Sequence, residues 1–160
     1  MRRPFKHPQA GFSLVEALIV VALLGLLAAV VLPAGHGALA RMRVEAATRA
    51  LVRELERERD QAMRVGRSRR LPLQGEGSLQ QRALRHHPAV AVHHNLPAEL
   101  RVTAHGWLID GGTLVLASAG TDLQRCLVLS LPLGVMRLGR YSGNPTAGLN
   151  SAACQRDAHL

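Results

Sequence analysis

The chain has 160 residues, 48% hydrophobic but only 2% aromatic, with a formal charge of +9. With an apolar N-terminal stretch set aside, about 120 residues remain, which is one modest domain whose single core is built from Leu, Val and Ala and excludes a multidomain chain. Arginine carries nearly all the excess charge, Lys6 being the only lysine, which points either to an anionic partner such as nucleic acid or lipid headgroups or to genomic base composition.

Residues 1–11 form a short basic head with Arg2, Arg3 and Lys6. From Phe12 to Leu32 the chain carries one charge, Glu16. That run matches a hydrocarbon core of ~30 Å and predicts a membrane-spanning helix at about 12–32. A carboxylate within such a span is costly and reads as functional, unless it reaches the interface near the helix end. Three positive residues before the run, against Arg41 and Arg43 beyond it, keep the head in the cytoplasm. The expected location is the bacterial inner membrane, crossed once, with the C-terminal domain in the periplasm. A secretory signal peptide is the rival, since Ala38-Leu39-Ala40 offers a small-x-small site. The run exceeds the usual ~7–15 apolar residues, however, and Glu16 interrupts its start. A membrane-anchored periplasmic protein of other function is a further alternative.

Gly11-Phe12-Ser13-Leu14-Val15-Glu16 resembles the processing site of type IV prepilins and type II secretion pseudopilins. The resemblance implies that a prepilin peptidase removes 1–11, cleaving between Gly11 and Phe12. Phe12 would then be N-methylated, and the apolar helix retained. Cleavage leaves a positive amine at Phe12, one helical turn from Glu16. In a filament, Glu16 of one subunit would neutralise the amine of a neighbour, and a buried pair of that kind selects for correct register. The partners implied are the peptidase and other pilins or pseudopilins.

After the apolar run, Pro33 and Gly35-His36-Gly37 predict a kink or a melted stretch. From Arg41 the pattern turns amphipathic. Val44, Ala47, Leu51, Leu55 and Ala62 follow helical spacing, and Glu45 and Arg49 form an i,i+4 pair. Gly66 is the expected stop, with Arg64 favouring the negative helix end. One long helix over 12–65 is predicted. Beyond it, short apolar segments at 70–73, 79–86, 89–93, 100–104, 107–109, 113–117, 126–131 and 135–138 alternate with Gly and Pro turn signals. They predict a β-rich domain over 67–138, a small antiparallel sandwich. Residues 139–160 read as a C-terminal tail that would be loose without a tie to the body. Cys126 and Cys154 are the only cysteines. In an exported domain such a pair reads as a disulfide tying that tail to the body, the alternative being two free thiols. The fold class is α+β, pilin-like by the resemblance: a long N-terminal helix packed on a small antiparallel β-sandwich.

The downstream chain is similar to the minor pseudopilins of the GspH/FimT family. Leu51-Val52-Arg53-Glu54-Leu55, and Asp60-Gln61-Ala62-Met63-Arg64-Val65-Gly66 running into 67–73, resemble that family's helix end and first strand. Residues 114–120 followed by Cys126-Leu127-Val128-Leu129-Ser130 resemble its closing strands, and the second cysteine matches too. The FimT branch carries Gly-Arg-x-Arg, implicated in DNA binding during natural transformation. Here that place reads Gly134-Val135-Met136-Arg137, with Val135 where the first arginine would stand. Gly139-Arg140-Tyr141-Ser142 keeps only Gly-Arg. The DNA-binding candidates are Arg137 and Arg140, together with Arg67, Arg69 and Arg70. Residues 41–70 hold ten arginines and five acids, against seven and five over 71–160, so most of the excess lies at the helix and its end. Such a patch tracks phosphates, or is a solvated basic helix end, or meets acidic neighbours in an assembly. Scarce aromatics argue against base stacking.

His86-His87 and His93-His94 invite a metal reading. Neighbours on a strand point to opposite faces, so each pair gives one ligand at most, and no HExxH spacing occurs. There is no GxSxG elbow and no phosphate loop. Asp110 and Asp122 lie beside or near glycines and read as turn residues. The expectation is no metal, no cofactor and no catalysis. The protein would be a minor subunit of a type II secretion system or type IV pilus that helps initiate or cap the filament, or alternatively a DNA-binding minor pilin.

Overall fold

The computed structural model describes residues 13–131 and 134–157, with the side chains at 28–36 outside the described set. The chain divides between His36 and Gly37 into two units. Helix α1, Leu14–Val65, is assigned through 33–37, so the melted stretch predicted there is not found.

In the first unit every described side chain from Ser13 to Leu27 is exposed. Among the described residues no helix is long and apolar enough to cross a membrane. This overturns the predicted single-pass placement in the inner membrane. The described run also carries the Glu16 carboxylate in its first turn, a group that is costly within a hydrocarbon core.

The second unit is α+β. Val44, Ala47, Leu51, Leu55 and Ala62, the residues with helical spacing, are all buried along α1. The helix stops at Gly66, where φ is +65°. The Gly66 N–H donates to Met63 O and the Arg67 N–H to Ala62 O, the paired bonds of a left-handed glycine cap.

Strand β1 (Arg69–Pro72) comes next, then helix α2 (Leu79–Leu84). Strand was predicted over 79–86; the segment is helical because Ser78 caps it, accepting from the Gln81 N–H at 3.1 Å, while Gln81 reaches back to the Gly77 N–H. That reciprocal exchange is a form of capping box. The remaining strands are β2 (Val90–His94), β3 (Glu99–Val102), β4 (Gly112–Ser118), β5 (Arg125–Ser130), β6 (Val135–Tyr141) and β7 (Cys154–Arg156). Residues 107–109, predicted as strand, contribute only an isolated bridge from Leu108 to Val102.

β1 and β3 pair as a two-stranded antiparallel sheet, and β2-β4-β5-β6-β7 form a five-stranded one. Every pairing is antiparallel. Alternation along the strands sorts the large sheet into two faces. Leu114, Leu116, Leu127 and Leu129 join the buried face of α1 in the main core. Val115, Cys126 and Val128 form a second cluster with Tyr141, Cys154 and Leu149. β4 and β5 are thus covered on both faces, which is why they read as unbroken apolar runs.

Candidate assembly helix and arginine surfaces

Glu16 lies exposed in the first turn of α1. Around it Leu14, Val15, Leu18, Ile19 and Val20 are exposed as well. A helix that is apolar on all sides is the kind that other helices or an apolar medium must cover. Glu16 is the one ionisable group among the described side chains of that run. Gly11 and Phe12, the predicted processing pair, lie outside the described residues, as does the leader. The alternative signal-peptide site is not an open segment in the folded chain: Ala38-Leu39-Ala40 is helical and Ala40 is 3% exposed.

The five arginines singled out for DNA do not converge on one surface. Arg69 forms an ion pair with Glu58 at 3.0 Å, without the alignment of a hydrogen bond, and so pins β1 to α1. Arg67 and Arg70 are exposed and, among the described residues, make no ion pair. Arg70 sits opposite Arg101 in the β1–β3 register. Arg137 and Arg140, three apart on β6, point to opposite faces. Arg137 donates to the Ser151 carbonyl at 2.9 Å, on the face covered by the C-terminal segment. Arg140 approaches Asp122 at 3.5 Å, and Asp122 also holds Arg41 of α1 at 3.1 Å.

The predicted disulfide is present. Cys126 of β5 and Cys154 of β7 are joined, with Cα atoms 5.9 Å apart. The bond passes over Gly139 of β6, which is the register partner of Cys126. Within the described residues 139–157, β6 runs on to Tyr141, and β7 pairs back onto it.

Two acids read as turn residues prove to be ion-pair centres. Asp122 gathers Arg41 and Arg140. Asp110 is nearly buried and accepts from three Arg101 donors, Nη2 at 2.6 Å, the backbone N–H at 2.7 Å and Nε at 3.1 Å. The Arg101 hydrogen bond holds the Asp110 carboxyl below its ordinary range against the opposing effect of burial, and the Arg101 guanidinium is correspondingly raised.

Nothing in the sequence marks out Arg125. Its side chain is 9% exposed and bridges Asp157 near the chain end and Glu45 of α1, the latter at 2.9 Å. Burial opposes its charge, but hydrogen bonds to Asp157 and Glu45 outweigh burial and raise its pKa. Also unforeseen is an open groove of about 640 Å³ between α1 and α2, with Arg53, Arg57, Arg82 and Arg85 on its walls. The capping signal Ser78-x-x-Gln81 would have placed α2, and with it half of this groove.

Of the histidines, His86 accepts from Arg85 Nε at 2.8 Å and His94 lies 2.9 Å from Gln74 Nε2. Among the described residues no group of three His, Cys, Asp or Glu side chains is placed to hold a metal ion.

A family model, the prokaryotic N-terminal methylation motif, matches residues 6–32. The match supports a type IV pilin-like protein, with prepilin peptidase processing and pilin partners suggested by the same motif. A search among curated proteins finds no match, and neither does one among solved structures.

Proposed function

We propose that this protein is a minor pilin or pseudopilin of GspH/FimT type, serving a type II secretion system or a type IV pilus. Its work is assembly and interaction rather than catalysis. The processed N-terminal helix joins the filament, and the β-rich domain, carried on the second half of α1, helps to initiate or cap it. The observation that carries this reading is the methylation motif over 6–32, coinciding with an exposed apolar helix whose first turn holds Glu16.

The physical logic lies in the charge. An amine created at Phe12 would stand one turn from Glu16, and a carboxylate in an apolar helix is tolerated where a cation meets it. The DNA-binding alternative loses support from the dispersal of Arg137 and Arg140 to opposite faces of β6. Mass spectrometry of the mature N-terminus tests the proposal. The expected result is a chain beginning at N-methylated Phe12. A mature chain beginning at Arg41 would overturn it.

A further inference from the structure

We propose that the groove between α1 and α2 docks an acidic segment of a partner protein. The inference stands apart from the filament reading, because it rests on the second unit alone.

Arg53 and Arg57 lie one turn apart on α1, about 6 Å along the helix. Arg82 and Arg85 face them from the last turn and C-cap of α2. One carboxylate, Glu54, stands in the groove with these four guanidinium groups. Glu54 is already engaged: Arg82 Nε approaches it at 2.7 Å and Arg57 at 3.4 Å. Arg82 is further committed to Glu58 at 2.7 Å. Among the described residues Arg53 has no ion pair, and Arg85 has none either, donating instead to the His86 ring nitrogen. The groove therefore holds two uncommitted guanidinium groups and a third, Arg57, that is 76% exposed and held by one long contact.

The chemistry favours carboxylates over a nucleic-acid backbone. Guanidinium groups form charge-assisted hydrogen bonds with carboxylates, and Arg82 already bridges two of them, Glu54 through Nε and Glu58 through Nη2. No Phe, Tyr or Trp lines the groove for a base to stack on. Glu54 and, further along α1, Glu56 and Asp60 interrupt any continuous path for phosphates. Ala50 and Ala83 at the groove keep it open, leaving room for an extended peptide.

The test is fluorescence anisotropy of a labelled octaglutamate peptide with the full chain in neutral detergent at low salt. Binding that weakens as salt rises is expected. The exposed pair Arg53→Ala/Arg85→Ala should lower affinity tenfold or more with an unchanged melting temperature, while Arg43→Ala, on another part of α1, leaves it intact. Absence of binding at low salt overturns the proposal. So does binding that the double variant leaves unaltered, since the peptide would then sit elsewhere. A labelled single-stranded oligonucleotide of equal charge that binds more tightly, and is lost in the double variant, would make the groove a phosphate site and overturn it too.

Discussion

Gly139 of β6 meets the backbone of Gln155 on β7 so closely that an added Cβ would stand 2.1 Å from the Gln155 carbonyl oxygen. The same Cβ would lie 3.2 Å from the Cys154 sulfur. The requirement for glycine here comes from the approach of a neighbouring strand and not from its own dihedral angles. Gly139→Ala should push β7 off the sheet and lower stability by about 3 kcal/mol, the scale of a severe overpacking. Thermal melting and free-thiol titration check this. Wild-type stability with no free thiol would refute it.

The bond beside that glycine closes a loop of 28 residues. In the chain-entropy account a loop of that size contributes about 3.5 kcal/mol. Cys154→Ser, or reduction of the native protein, should lower the denaturant midpoint accordingly. β7 amides should lose hydrogen-exchange protection first, because β7 has only three residues in the ladder.

Arg125 joins three separate parts of the chain: α1 through Glu45, β5 itself, and Asp157 beyond β7. Arg125→Met keeps much of the stem but removes the cation that Glu45 and Asp157 share. A loss of about 2 kcal/mol is expected, less than for a fully buried pair because both acids retain some water. Replacing Asp157 by Asn should cost less, since Glu45 continues to hold the guanidinium. Paired denaturation curves of the two variants measure the difference.

Asp110 gives the fold an acid limb of known sign. Its carboxyl is held below the unfolded value by the Arg101 hydrogen bond. The contribution is therefore complete above ~pH 3.9 and is lost as pH falls through the lower folded value. Asp110→Asn should lower the melting temperature at pH 6 and narrow the gap to wild type at about pH 2. A gap of constant size across that range would show that ionisation of Asp110 is not involved.

Glu16→Ala separates processing from assembly. Cleavage after Gly11 should proceed, since Glu16 lies beyond the scissile bond. Recovery of the subunit in purified filaments should fall roughly tenfold, equivalent to ~1.4 kcal/mol of lost pairing. Unchanged recovery would remove Glu16 from the assembly mechanism.

The helix and the central strands are legible in the sequence because their burial obeys simple periods. Val44 to Ala62 mark one face at helical spacing, and Gly66 ends the helix for a reason local to glycine. Residues 114–116 and 126–129 are apolar on both faces, and the structure covers both. Elsewhere composition hides the period. Leu79 and Ala83 are buried four apart on a capped helix, yet the surrounding Gln, Arg and Leu pass for a strand. Gly139 reads as the start of a loop, although a glycine inside a strand also marks close approach of another backbone. Ending β6 at 138 then conceals that Arg137 and Arg140 face opposite ways. Arg125 is beyond reach for a different reason. Its partners lie 80 and 32 residues away in sequence, and only the folded chain brings them together.

The outer face of the large sheet depends on the C-terminal segment. Val115, Val128 and Tyr141 are dry because Leu149, Ala153 and Cys154 lie over them, and the hydrogen-bonding edge of β6 is occupied by β7. A chain interrupted before residue 149, or one whose cysteines stay reduced, would present an apolar surface beside an unpaired strand edge, the combination that invites edge-to-edge aggregation. The segment 149–156 thus acts as a seal: until it is in place and its disulfide closed, the domain carries a sticky face.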